Sequence, residues 1–333
     1  MARRLCTLLL VFALSGCGPL RDAYLDYKLA DRTDHSFVTD KQSLRVLTCG
    51  TGSPQGNTGR AQACTLVAAG GLLFLFDAGE GAAENLERFH VPLKDLSRVF
   101  ITHWHSDHFN GLGALINQGW IWGRRTPVSI YGPPGAQAYA QGINTAYAKD
   151  VEFRHADFVP EPGNAQAQTH EVSLPPGKNE MRVFEQGGVT IDVQRVLHEP
   201  VEPAYGYVIR FRGKKVFISG DTRVDAVYQS AMQDADLVVH EAISVGLVQQ
   251  AADALRRNGR TQDADVADRV IHYHADTLAL ARMAQQANVK HLVLTHLIPA
   301  PADFIGRHLF VRGMADLYSG RLDIAEDGYE VRL

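Results

Sequence analysis

The sequence predicts an α/β fold, a four-layer αββα sandwich, and three observations carry that expectation. Short apolar runs bounded by Gly, Pro and Asp cluster between residues 44 and 102, a second group restarts at residue 189, and stretches with helical spacing alternate with both. Two strand-rich halves, each with helices to cover one face, bury their apolar surface by stacking sheet on sheet. At 333 residues, 45% hydrophobic and 21% charged, the chain has the material for one large domain, and no linker-like composition divides its middle. A formal net charge of −4 provides no overall basic field, so no nucleic-acid partner is expected.

Residues 1–17 read as a targeting segment: Arg3 and Arg4 precede an apolar run from Leu5 to Leu14, and small residues follow. The run is short for a bilayer span. Leu14-Ser15-Gly16-Cys17 resembles the lipobox of bacterial lipoproteins. That resemblance implies cleavage before Cys17, a lipid anchor on its sulfur and a periplasmic protein, with Gly18 favouring the outer membrane. Residues 18–43 are polar and aperiodic, as in a tether, and the packed domain is expected from Leu44 to Leu333. Cys49 and Cys64, beside apolar runs, read as packed strand residues rather than metal thiolates, with a disulfide open to them in an oxidising compartment.

Strands are expected over 44–49, 65–69, 72–77 and 99–102, with Gly70-Gly71 as a hairpin turn. Helical spacing covers 80–89, 111–118 and 135–148. Residues 151–182, rich in Pro, Gly, Gln and Asn, read as a long surface insertion that either lies over a site or is a solvated excursion. Strands resume at 189–196, 205–211 and 215–219, the last pair turned by Arg212-Gly213. Helices near 224–233 and 276–287 then alternate with the apolar runs 237–240 and 291–295.

The stretch Val99-Phe100-Ile101-Thr102-His103-Trp104-His105-Ser106-Asp107-His108 takes an apolar strand directly into four metal-binding side chains. On extended backbone alternate residues face the same way, so His103 and His105 reach one ion from a strand end. Asp107 and His108, in the following turn, then point at a second ion beside it. Imidazoles and carboxylates suit zinc, manganese or iron; two divalent ions are expected, with zinc first.

The pattern His-x-His-x-Asp-His resembles the signature of the metallo-β-lactamase superfamily, and the chain supplies the other pieces in that family's order. These are His198 in Arg195-Val196-Leu197-His198, Asp221 in Ser219-Gly220-Asp221-Thr222 and His296 in Leu294-Thr295-His296-Leu297. By the resemblance, His103, His105 and His198 hold one ion, Asp107, His108 and His296 the other, and Asp221 both. Such a pair activates water and polarises the ester under attack, so no side chain serves as nucleophile. Asp77, in Phe76-Asp77-Ala78-Gly79, matches a position that orients ligand histidines; the alternative is a turn or helix-capping aspartate. Ser219 and Glu241 are expected in the same supporting role.

Gly50-Thr51-Gly52-Ser53-Pro54, Asp77-Ala78-Gly79-Glu80-Gly81 and His240-Glu241-Ala242 are similar to motifs of the ribonuclease Z-like branch, which includes phosphodiesterases and aryl sulfatases. Within Tyr273-His274-Ala275-Asp276, His274 corresponds to that branch's proton donor to the leaving oxygen; otherwise His272 or His274 merely opens a helix. Asp107 and His274 are thus the expected catalytic residues. Enzymes that process transfer RNA carry a Gly- and Pro-rich arm between the third histidine and the bridging aspartate, whereas residues 199–220 here suffice only for a strand hairpin. The expected function is an exported, arylsulfatase-like or phosphodiesterase-like hydrolase of a small anionic ester, anchored to the membrane through Cys17 and compatible with a homodimer. Hydrolysis of a lactone or carboxylic ester, and a non-catalytic metal-binding role, are the competing readings. Trp120, Trp122, Arg124 and Arg125 form either a wall for an aryl ester or a packed aromatic pair beside solvated charges.

Overall fold

The structure, a computed structural model, describes residues 18–55, 59–157 and 161–333, so the leader and Cys17 lie outside the described residues. The chain divides into two compact units, Met1–Asp34 and His35–Leu333. In the first, residues expected as a tether form helix α1 (Gly18–Leu29), with Tyr24, Tyr27 and Leu29 exposed. The second begins ahead of Leu44. Its short helix α2 (Ser36–Thr39) buries Phe37, and the Arg45 guanidinium lies over the Phe37 ring at 3.8 Å from the centroid. Among the described residues no helix is long and apolar enough to cross a membrane.

Two seven-stranded sheets form the second unit. In spatial order the first comprises β14 (Tyr329–Arg332), β1 (Leu44–Gly50), β2 (Cys64–Ala69), β3 (Leu72–Phe76), β4 (Arg98–Phe100), β5 (Val128–Gly132) and β6 (Ala167–Glu171). The second comprises β13 (Arg321–Ile324), β12 (His291–Ile298), β11 (Leu237–Ile243), β10 (Lys214–Ile218), β9 (Val201–Phe211), β8 (Val189–His198) and β7 (Glu180–Gln186).

The alternation of side chains along each strand explains why the central strands read as continuous apolar runs: both faces are buried. On β3, Phe74 and Phe76 point between the sheets while Leu73 and Leu75 point outward under helices. On β9, Tyr205, Tyr207 and Ile209 face the first sheet, and Ala204 and Val208 face the opposite layer. Helices α3 (Ala82–Arg88), α4 (Leu112–Ile121) and α5 (Ala136–Ala146) cover the first sheet. The second is covered by α10 (Thr277–Gln286) and α11 (Phe304–Phe310), with a short helix α7 (Gln229–Met232) between. This is the four-layer αββα arrangement.

The segment 151–182 is not one solvated loop. It contributes the end of α6 (Ala148–Asp157) and the edge strands β6 and β7, one for each sheet. Edge strands need bury only part of one face, so their polar sequence hides them from a search for apolar runs. The helical spacing over 135–148 divides between α5 and α6. The helical pair α8 (Val245–Arg257) and α9 (Thr261–Val270), which has no counterpart among the expected elements, packs around Ile243, Val248 and Ile298.

Cys49 and Cys64 are packed strand residues, as expected, and they are also joined by a disulfide. The bond closes a loop of 15 residues of sequence separation, which in the chain-entropy picture stabilises the fold by about 3 kcal/mol. Changing both residues to alanine should lower the unfolding free energy by about that amount. In urea unfolding, added reductant is expected to reproduce the loss in the native chain and to leave the double variant unchanged.

Candidate metal centre

Strands β3 to β6 run parallel, as do β10 to β13, so their carboxyl ends open onto one edge of the sandwich, where the chain leaves the sheets and side chains can converge. Asp77 follows β3, Thr102 and His103 follow β4, His198 ends β8, Asp221 follows β10 and His296 lies near the end of β12. Two bonds tie the turn after β4 to the second sheet. Tyr205 N–H donates to the Thr102 carbonyl at 3.0 Å, and the Tyr207 hydroxyl donates to the Ile101 carbonyl at 2.7 Å. Close backbone approach completes the site: a Cβ at Gly79 would lie 2.2 Å from the Asp107 carbonyl oxygen, so only glycine lets the two segments meet.

The seven expected ligands converge in two overlapping groups. His103 Nε2 and His198 Nε2 lie 3.0 and 3.2 Å from His105 Nδ1, and 3.9 and 3.8 Å from Asp221 Oδ2. On the other side His296 Nε2 is 3.0 Å from Asp107 Oδ2 and 3.4 Å from Asp221 Oδ2. His108 Nε2 stands 3.6 and 3.4 Å from the same two oxygens. Ligand atoms about 2.1 Å from a tetrahedral ion are roughly 3.4 Å apart, so both groups have the spacing of metal sites that share Asp221. His108 Nε2 and Asp221 Oδ1 are buried without a hydrogen-bond partner, a costly condition that a cation relieves. The residues therefore fit two divalent ions.

The electrostatics of the centre agree. His103 is held well below the usual imidazole range, first by burial and then by His108. His108 goes the other way: burial opposes its charge, but Asp221, Asp77 and Asp107 together raise it well above its ordinary value. His296 is pushed up to about 9 against its burial, by Asp221 and by its bond to Asp107. Asp221 is held well below the carboxylate range because His296 and His108 outweigh the burial that would raise it. Protons on His108 and His296 thus balance the carboxylates, and bound cations displace them.

Around the ligands stands a shell of hydrogen bonds. Asp77 accepts from Thr102 N–H and Oγ1 at 2.8 Å each and meets His108 Nδ1 at 2.7 Å. It therefore orients a ligand rather than only capping a turn. Thr102 Oγ1, expected only as the end of a strand, also lies 3.0 Å from His103 Nδ1. The Tyr273 carbonyl fixes His198 through Nδ1 at 3.0 Å. Ser219 Oγ donates to the Gly220 carbonyl at 2.6 Å and accepts from Glu241 N–H at 3.1 Å, which supports the turn carrying Asp221. Glu241 Oε1 accepts from Thr222 N–H and Ala275 N–H and meets His274 Nδ1, all at 3.0 Å. Neither threonine nor a backbone carbonyl carries a metal-binding signal in sequence, so these partners emerge only from the fold.

Trp120 and Arg124 form no wall for substrate. Both are buried: the indole donates to the Glu161 carbonyl at 3.3 Å, and the guanidinium donates to the carbonyls of Ile116, Thr126 and Asn164. They pin the chain ahead of β6, while Trp122 is exposed.

The sequence profile of the family described as anti-Pycsar protein Apyc1 matches residues 44–296, a stretch that holds all seven ligands and both supporting carboxylates. The chain belongs to this family. It is a ribonuclease Z-like, metal-dependent hydrolase of the metallo-β-lactamase fold. This member of the Apyc1 family is 32% identical over 298 residues to a ribonuclease Z of Mycobacterium bovis, covering 87% of this chain and 98% of the relative. Among solved structures, the metallo-β-lactamase fold protein YhfI from Bacillus subtilis aligns with a TM-score of 0.61 at 19% identity, over 88% of this chain and 100% of that one. The short form of human tRNase Z aligns with a TM-score of 0.60 at 22% identity, over 86% and 98% of the two chains.

Asp77→Ala should weaken metal binding roughly 10- to 100-fold, read by competition with a chromogenic chelator. A pH dependence also follows from the balance of protons. With His296 raised to about 9, its contribution to stability is complete below the unfolded imidazole value near 6.5 and disappears as pH rises through 9. Metal-free protein is therefore expected to lose thermal stability between about pH 6.5 and 9. Zinc-loaded protein should not, because the ions replace the protons. Melting curves of the two forms across that window check this.

Proposed function

We propose that this chain hydrolyses the phosphodiester of a small anionic molecule outside the cytoplasm. The observation that carries the reading is His274, held by Glu241 at 3.0 Å beside the ligands, with its ring centroid 5.1 Å from that of His198 and 5.7 Å from that of His296. With Nδ1 engaged by the carboxylate, Nε2 is the nitrogen left for substrate. The Glu241 carboxylate accepts from Nδ1–H and fixes the ring, so Nε2 is the nitrogen placed to deliver a proton to a departing oxygen. An alkoxide is a poor leaving group and gains most from this. Divalent ions held by the seven ligands, zinc first, supply Lewis-acid polarisation of the substrate oxygens and activation of water.

The relatives named ribonuclease Z favour phosphorus over sulfur as the centre attacked, because RNA is joined by phosphodiesters. The same name makes RNA the competing substrate. Against it stand the net charge of −4 and the chain between His198 and Asp221, which β9 and β10 almost fill, leaving no arm to grip a polymer. The disulfide between Cys49 and Cys64 supports an oxidising compartment. With the leader-like residues 1–17, it supports an exported protein anchored through Cys17, at the outer membrane.

The test compares a bis-nitrophenyl phosphodiester, a nitrophenyl sulfate, a nitrophenyl carboxylic ester and a structured RNA, using the mature chain loaded with zinc or manganese. The phosphodiester should be preferred. Faster cleavage of RNA, sulfate or carboxylic ester would replace this reading with that one, and failure on all four with two ions bound would favour a non-catalytic role. His105→Ala should lose both turnover and metal. His274→Ala should keep its metal and lose roughly 100- to 10,000-fold in kcat; equal metal loss in the two variants would remove the proton-donor role.

A further inference from the structure

We infer that Asp327, in the connection from β13 to β14 and beyond the stretch matched by the family, is a positioning residue that sets the separation of His296 and Asp107. Its carboxylate takes four donors. Oδ1 accepts from Thr51 N–H at 3.0 Å and Thr51 Oγ1 at 2.7 Å, and Oδ2 accepts from Ala61 N–H at 2.6 Å and Asn85 Nδ2 at 2.9 Å. Each oxygen thus holds one limb of the chain that leaves β1 and returns to β2. A carboxylate bonded in this way is stronger than neutral acceptors and fixes direction as well as distance.

Each limb bears on a different half of the centre. The outgoing limb presents the Thr51 carbonyl to Leu297 N–H at 3.3 Å, immediately after His296, whose φ of 46° lies in the left-handed region. That conformation is costly for a histidine and persists only where its neighbours enforce it. The returning limb presents the Ala63 carbonyl to Gly79 N–H at 3.0 Å, and Gly79 is the residue whose backbone abuts Asp107. His296 and Asp107 meet at 3.0 Å although one lies on β12 of the second sheet and the other in the turn after β4 of the first. One carboxylate therefore clamps both supports of the ion expected between Asp107, His108 and His296. The other group takes His198 from β8 and His103 and His105 from the start of the turn after β4, with Asp221 shared, and Asp327 accepts no hydrogen bond from any of these segments.

The inference concerns metal binding, not the substrate, so its test needs no turnover and is independent of the phosphodiester reading. Zinc is titrated into metal-stripped full chain by calorimetry, with melting of the metal-free form measured in parallel. Wild-type protein is expected to bind two equivalents. Asp327→Ala should bind one of them at least about tenfold more weakly and leave the other near its wild-type affinity, with excess zinc restoring full occupancy. Asp327→Asn, which keeps one oxygen acceptor, should fall between. Two unchanged equivalents, or equal weakening of both in step with the melting temperature, would overturn the assignment and leave Asp327 with a purely structural role. If Asp327→Ala does not fold, Thr51→Val, which removes the hydroxyl bond to Asp327 and the one accepted from Arg60 while retaining the Thr51 backbone bonds, should give a smaller selective shift; no shift there would equally overturn it.

Discussion

The structure depends on one electrostatic constraint: a carboxylate buried between two sheets must be surrounded by positive charge. Asp221 is 2% exposed, and within 4 Å of its Oδ2 stand His103, His108, His198 and His296. An isolated carboxylate at such depth would be strongly disfavoured, whereas one that faces imidazolium or metal ions is stabilised. Much of the surrounding architecture serves that arrangement. Parallel strands deliver the ligands to one edge, Gly79 lets two backbones touch, and Tyr205 and Tyr207 fasten the histidine turn to the opposite sheet.

The support beyond the ligands is layered by chemistry. Carboxylates hold some of the imidazoles, as Asp77 does for His108 and Glu241 for His274. Backbone carbonyls serve elsewhere, as Tyr273 does for His198. A carboxylate partner raises the basicity of the ring it holds, while a carbonyl fixes its orientation with less charge. Glu241 therefore does two things at once: it anchors the turn of Asp221 through Thr222, and it fixes the orientation of the His274 ring.

What was legible in the sequence followed physical periodicity. Central strands buried on both faces declared themselves as apolar runs, and ligands placed at strand ends stood out because His103, His105, Asp107 and His108 are so closely spaced. Strands β6 and β7 did not: β6 is polar along most of its length, and the alternation of Met181 and Val183 on β7 is cut short by a register shift before Phe184. Thr102 and Asp327 were silent for a different reason. A threonine that passes a hydrogen bond onward, or an aspartate in a turn distant in sequence, has meaning only through what the fold sets beside it. The pairing of Cys49 with Cys64 was open in sequence and became definite when β1 and β2 placed their Cα atoms 5.0 Å apart.

Exposure is unequal across the centre. His103, His108, His198 and His296 are almost wholly buried, while His105 reaches the surface in part. An ion with one ligand at the solvent boundary can leave by stepwise release of that ligand, whereas its neighbour, enclosed by Asp107, His108 and His296, must wait for the surrounding chain to open. The two positions therefore differ in kinetic character. Removal of ions by a chelator would therefore be expected in two phases, the faster from the group that holds His105.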